Sequence, residues 1–218
     1  MCIISIKKKG IKFPSVEIVK TMCENNNDGF SIVTQRHGRP RIYKTLKMRD
    51  FLNYYRALIK ASDGTDTSMF IHARIKTHGA QRIENCHGWR SDGVVFAHNG
   101  ILSIANRDDM TDSETFFRDI FIPAYRQGGW KMGEKTIDAI IGTSKFVFMD
   151  KDGEIRHYGT YIEDDGVLYS NYTYTETRYV YQPPKRGYSN PTNAYYPKTQ
   201  SSVWDWQYDF LDDDKYLF

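Results

Sequence analysis

Apolar residues recur along this chain with two different periods. Short stretches rich in apolar residues over Cys2 to Lys7 and Gly29 to Gln35 predict strands, and between them Ser15 to Cys23 spaces Val16, Val19, Met22 and Cys23 as one helix face. Met48 to Ile59 repeats the helical period with Phe51, Leu52, Tyr55, Leu58 and Ile59, and Ser62-Asp63-Gly64 breaks it. Met69 to Ile75 and Val94 to His98 read as short buried strands, and the polar, irregular stretch between them is a candidate site loop. Thr111 and Glu114 stand at capping-box spacing ahead of Phe116, Phe117, Ile120 and Phe121, which predicts a helix ending or bending near Pro123. Ile137 to Ile141 continues a helical pattern, and Lys145 to Met149 and Ile155 to Tyr158 flank Asp152-Gly153 as the two arms of a hairpin. Strand content at least matches helix content.

From about Gln182 the pattern stops: Pro183, Pro184, Pro191 and Pro197 lie among Ser, Asn, Thr and Tyr, too poor in aliphatics to build a core. The expected organisation is one domain over 1–181 and a tail over 182–218. Within the tail, Trp204, Trp206, Phe210, Leu211 and Phe218 alternate with Asp205, Asp209 and Asp212-Asp213-Asp214, suiting either a cover for a local apolar patch or a partner-docking segment. The 218 residues, 40% hydrophobic and 26% charged, suffice for a sizeable core. A formal charge of +3 gives no reason to expect nucleic acid or an anionic membrane as partner. No apolar run reaches bilayer length, and the opening residues run into Lys7-Lys8-Lys9 without a signal-like core, so a cytoplasmic protein is expected. Cys2, Cys23 and Cys86 are odd in number and widely spaced, which suits reduced thiols better than a disulfide framework.

Five short segments carry candidate chemistry. Loss of Met1 would leave Cys2 with a free α-amine, whose reference pKa of roughly 7.7–8.0 lets it take the thiol proton near neutrality, directly or through water. Taken alone, Cys2 reads first as merely a small apolar residue opening a strand. Arg74, closing an apolar strand, offers a planar fork suited to a carboxylate, or a plain surface ion pair. Asn85-Cys86-His87 is a third polar step. His98-Asn99-Gly100 follows a strand directly; an asparagine amide and a glycine N–H can converge on an oxyanion, whereas a bare Asn-Gly is most often a turn. Asp112 sits in a helix first turn, where the helix dipole already favours it, or else binds a substrate ammonium. His72, His78, Cys86, His87 and His98 have no zinc-ligand spacing, so no metal is expected.

In this order the segments resemble the class II glutamine amidotransferases, N-terminal-nucleophile hydrolases that include glucosamine-6-phosphate synthase and amidophosphoribosyltransferase. Cys2 matches the nucleophile, Arg74-Ile75-Lys76-Thr77-His78-Gly79 looks like the Arg-x-x-Thr-His-Gly segment, and Asn85-Cys86-His87 looks like the Asn-x-His step. His98-Asn99-Gly100, Asp112-Ser113-Glu114, Asn26-Asn27-Asp28-Gly29 and Tyr169-Ser170-Asn171 complete the likeness, which runs from Cys2 to about Tyr172. It implies an α+β fold, a four-layer α/β/β/α sandwich of two antiparallel sheets with helices outside. It also implies hydrolysis of the side-chain amide of L-glutamine through a Cys2 γ-glutamyl thioester, with no cofactor. Asn99 and Gly100 would stabilise the oxyanion, Arg74 with Thr77 and His78 would hold the α-carboxylate, and Asp112 the α-ammonium; Asn27, His87 and His98 would support the pocket from behind. Two readings stand beside this one: the same chemistry on another amide, against which the paired Arg74 and Asp112 argue, and an inert interaction protein of the same fold. The family's Cys-Gly-Ile opening is here Cys2-Ile3-Ile4, and Gly88-Trp89 replaces the proline and aromatic after the Asn-x-His step. The stretch beyond Tyr172 is too short for an acceptor domain, so a separate acceptor or synthase chain is the expected partner for the ammonia, as in compact forms resembling proteins of bacteria and their phages.

Overall fold

The structure, a computed structural model, describes residues 2–36, 39–62, 64–75, 81–105 and 110–175. The chain opens with β1 (Ile3–Lys7), α1 (Val16–Asn25), β2 (Gly29–Arg36), β3 (Arg39–Thr45), α2 (Met48–Ala61) and β4 (Met69–Arg74). A single 3-10 turn over Ile83–Asn85 leads to β5 (Trp89–Ser91) and β6 (Val94–Asn99). Then come α3 (Asp112–Thr115), a π-helical stretch Phe116–Phe121, α4 (Ile122–Ile140), β7 (Lys145–Met149), β8 (Ile155–Tyr158), β9 (Ile162–Asp164) and β10 (Val167–Tyr169).

Two antiparallel sheets result, one ordered β3-β2-β4-β1-β10-β9 and the other β5-β6-β7-β8. Because strand side chains alternate between faces, each sheet has two apolar surfaces to bury. Ile3, Phe30, Ile32, Met69 and Ile71 face α1 and α2, packing on Val19, Met22, Phe51 and Tyr55. Their alternates Ile4, Ile6, Val33 and Phe70 pack on Val95, Ala97, Val147 and Met149 of the second sheet. That sheet's far face, with Phe96, Phe146 and Phe148, lies under Phe116, Phe117, Phe121, Ile122 and Ile137. The layers are therefore helix, sheet, sheet, helix. Phe96 is the hub of the outer layer, with the rings of Phe116, Phe117, Phe146 and Phe148 at 5.6, 5.4, 5.3 and 4.7 Å. Phe96→Ala is expected to cost about 3–5 kcal/mol, read as a lowered denaturant midpoint at unchanged slope.

Local signals place the elements well. Ser15 caps α1 by accepting Ile18 N–H at 3.2 Å, and Thr111 caps α3 by accepting Glu114 N–H at 3.2 Å. The hairpin at Asp152-Gly153 is fixed by Asp150, whose Oδ1 accepts the N–H groups of Asp152 and Glu154 at 2.9 and 3.0 Å. Near Pro123, however, the helix does not end. Proline has no N–H for the carbonyl one turn back, and the π stretch just before it widens the turn so that Ile122 N–H reaches Phe117 O instead. The break comes later, at Gly128 and Gly129, where Gly129 adopts φ 60°. Strands β3, β5, β9 and β10 had no sequence signal: β3 carries Arg39, Arg41 and Lys44 along the edge of its sheet, and the other three have only three residues each. No helix among the described residues is long and apolar enough to cross a membrane. The tail over 182–218 lies outside the described residues.

Candidate active site

The pairing of β1 with β4 brings the first residues together. Ile3 pairs with Ala73, so the next rung sets Cys2 beside Arg74. Ile4, Ile6 and Phe70 face the seam between the sheets, and by the two-residue period Cys2, His72 and Arg74 share that face. On the opposing sheet Val95 and Ala97 face the same seam, which puts Asn99, at the end of β6, on it too. Three stretches far apart in sequence thus deliver a thiol, a guanidinium and a carboxamide to one end of the interlayer. The Cys2 thiol is half-buried and lies 3.6 Å from the Ile75 carbonyl oxygen. Burial pushes its pKa above the ordinary thiol range, with the charge of Arg74 pulling the other way, so the thiol requires a base to react.

A strap after β10 holds this end in place. Ser170 exchanges bonds with Ile4: its N–H donates to Ile4 O at 2.9 Å and its Oγ accepts Ile4 N–H at 2.8 Å. The same Oγ lies 2.8 Å from Asn99 Nδ2, tying the two sheets together. Asn171 Nδ2 donates to the Cys2 carbonyl at 2.7 Å, while its Oδ1 accepts Thr173 N–H and Oγ–H at 3.0 and 2.8 Å. Asn26 Nδ2 in turn donates to Thr173 Oγ1 at 2.9 Å and to Met22 O at 3.0 Å. Asn25 Nδ2 also donates to Thr173 O at 2.9 Å, so Asn25 and the buried Asn26 both hold this end of the chain, while Asn27 is exposed. The phase of the α1 C-terminus decides this, because Asn26 is its C-cap and folds its amide back on the last turn.

Three buried histidines run from the seam, where His72 lies, to the far face of β6, where His98 packs on Phe146. His87 stacks on His72 with centroids 3.8 Å apart and planes 10° apart, and His98 lies 6.3 Å beyond, 8° from parallel to His87. His87 Nδ1 accepts the backbone N–H of His98 at 3.1 Å, and His98 Nδ1 lies 2.7 Å from Ser113 Oγ. Desolvation holds all three neutral, His72 down to about 3 and His87 and His98 well below the usual imidazole value. Just after β6, Gly100 has φ 147°, and a Cβ there would collide with Ser144 Oγ and Cβ, so only glycine fits. The Asp112 carboxylate accepts Leu102 N–H and Ser113 N–H, both at 2.8 Å, tying the start of α3 to the segment after Gly100. Thr77 and His78 lie outside the described residues. Among the described residues no three His, Cys, Asp or Glu side chains are grouped to hold a metal ion.

No family model and no curated protein matches this sequence. Among solved structures, the chain is similar to a glutamine aminotransferase class-II domain protein from Silicibacter pomeroyi, with 15% identity and a TM-score of 0.44, over 78% of this chain and 87% of that one. It is also similar to glutamine phosphoribosylpyrophosphate amidotransferase from B. subtilis, with 11% identity and a TM-score of 0.47, over 78% of this chain and 42% of that one. This chain thus spans less than half the length of the second protein.

The strap was the part of the site that residue patterns did not assign. Tyr169-Ser170-Asn171 stood out only through the family likeness, and nothing in the local sequence ties Asn171 to Cys2.

Proposed function

We propose that this chain is a glutaminase of the class II glutamine amidotransferase type, working in the cytoplasm with Cys2 as its N-terminal nucleophile after removal of Met1. The observation that supports it best is the convergence of Cys2, Arg74 and Asn99 at one end of the seam, with the Cys2 backbone anchored by Asn171. In the proposed cycle the Cys2 sulfur attacks the side-chain amide carbon of glutamine while the thiol proton passes to the α-amine. The amine then protonates the departing nitrogen, the C–N bond breaks, and ammonia leaves a γ-glutamyl thioester. Water, deprotonated by the same amine, attacks the thioester; the C–S bond breaks and glutamate and the thiol are regenerated. Asn99 and Gly100 serve the oxyanion in both steps. Arg74 and Asp112 hold the α-carboxylate and α-ammonium, with Thr77 and His78 at the carboxylate end, so that only an α-amino acid presents its side-chain amide to sulfur. The ammonia passes to a separate acceptor chain.

The test is ammonia release from L-glutamine by protein whose N-terminus has been read by mass spectrometry. Turnover by chain that retains Met1, or none by chain that begins at Cys2, would refute the mechanism. Arg74→Ala is expected to raise the KM for glutamine by roughly one to two orders of magnitude with a smaller change in kcat, since a bidentate partner of a fixed carboxylate is lost. A saturation curve like that of the parent would remove Arg74 from the pocket.

A further inference from the structure

Ser170 makes hydrogen bonds on both sides of the seam, and its single proton bears on which way Asn99 faces. Its Oγ is 2.8 Å from Ile4 N and 2.8 Å from the amide nitrogen of Asn99, and all three residues are buried. With the carboxamide turned this way, the hydroxyl oxygen accepts two N–H groups, while Asn99 Oδ1 is a buried oxygen without a donor among the described residues. Buried amide oxygens in folded proteins are almost always paired. A serine hydroxyl has one proton and two lone pairs. A half-turn of the carboxamide, which exchanges oxygen and nitrogen without changing its shape, lets the Ser170 proton go to Oδ1 while Oγ still accepts Ile4 N–H. The orphan oxygen is then satisfied, and the Asn99 N–H groups take the closed position the oxygen held, unclaimed by Ser170 and without an acceptor among the described residues until a developing oxyanion supplies one.

We infer that Ser170 is a positioning residue that selects the donating orientation of Asn99. The inference rests on the glutaminase reading and deepens it. Ser170 touches no reacting atom; its effect runs through the Asn99 amide. Because Ile4 N–H takes one lone pair of Oγ, the proton is steered towards Asn99, and the tie between sheets and the polarity of the oxyanion donor depend on the same hydroxyl.

The experiment compares Ser170→Ala, Ser170→Thr, Asn99→Ala and the double variant in the full chain with a free Cys2 terminus. Ser170→Ala is expected to lower kcat for L-glutamine by about ten- to a hundredfold with KM within a few-fold, less than the loss from removing an oxyanion donor outright. Ser170→Thr, which keeps the hydroxyl, should recover most of it. In the Asn99→Ala background the same Ser170→Ala change should cost no more than about twofold, because the group it acts through is gone. Alkylation of Cys2 by iodoacetamide forms no oxyanion and should keep its parental rate in Ser170→Ala. Unchanged kcat, an equal loss with Asn99 already removed, or alkylation slowed as much as turnover each overturns the inference. If Ser170→Ala does not fold, Ser170→Cys carries the same comparison, since its sulfur still accepts from Ile4 but donates weakly. An inactive parent chain bearing Cys2 at its terminus overturns the glutaminase reading and this inference together; an active parent with an indifferent Ser170 overturns this inference alone.

Discussion

Cys2→Ala is expected to lower ammonia release from glutamine by at least about three orders of magnitude while leaving the fold nearly as stable as before. The two halves of this expectation have separate causes. Sulfur is the only atom in the proposed cycle that forms and breaks a bond to the acyl carbon, and alanine offers nothing in its place. The structural role of the residue, by contrast, lies in its backbone: the Cys2 carbonyl accepts from Asn171, and alanine retains that carbonyl. The thiol itself is half-buried and its contact to Ile75 O is long, at 3.6 Å. Its loss should therefore cost less than about 1 kcal/mol, the range of substitutions that open no core cavity. An uncleaved extension ahead of Cys2 gives the complementary experiment, because it keeps the thiol and blocks the amine; that protein should be equally inactive. An ammonia assay run beside thermal melts reads both halves. Full activity in either variant would discard the N-terminal nucleophile, and a collapsed melt in Cys2→Ala would leave its activity loss without mechanistic meaning.

The parts of the fold legible in the sequence were those whose causes are local. Thr111 announces a helix start because a cap bonds an N–H three residues on, and Asp152-Gly153 announces a turn because Gly153 takes φ 82° there. The strap escaped because its bonds join residues separated by 166 and 169 positions, from Ser170 to Ile4 and from Asn171 to Cys2. No periodicity encodes such a pairing. Asn25-Asn26-Asn27 shows a related limit: the sequence offers three similar amides, and only the phase at which α1 ends picks out Asn26 for burial. Pro123 was misread for a different reason, since a π turn supplies a bond that ordinary helix rules do not anticipate. The seam itself was half-legible. The types at Cys2, Arg74 and Asn99 named the chemistry, but the β1–β4 register and the facing of β6 were needed to bring them to one place.

Acid should unfold this domain early, and the histidine stack gives the sign and the range. His72, His87 and His98 have native pKa values below the unfolded value near 6.5, so above that pH both states are neutral there and stability is flat on their account. As pH falls through 6.5 the unfolded chain takes up protons that the native chain refuses, and stability is lost until the native values are reached, about 3 for His72. His72 and His98 together amount to a loss on the order of 4 kcal/mol between pH 7 and pH 5, to which His87 adds in the same direction, a sizeable share of the whole stability of many domains. The refusal has a geometric cause as well as a dielectric one. His87 Nδ1 accepts His98 N–H, so a proton on that nitrogen would set two donors against each other, and a charge on His72 would face both a stacked imidazole 3.8 Å away and the nearby cations Arg74 and Lys44. Asp112 favours a charge on His98 and the His98 backbone favours one on His72, but desolvation outweighs both. His72→Leu should therefore lessen the pH slope by about one proton, or roughly 1.4 kcal/mol per pH unit, below pH 6. Chemical denaturation of both proteins at pH 7, 6 and 5 measures the difference. Equal stabilities at pH 7 and 5 in the parent, or parallel slopes in the two proteins, would mean that the buried imidazoles accept protons in the native state and that the stack opens to admit water.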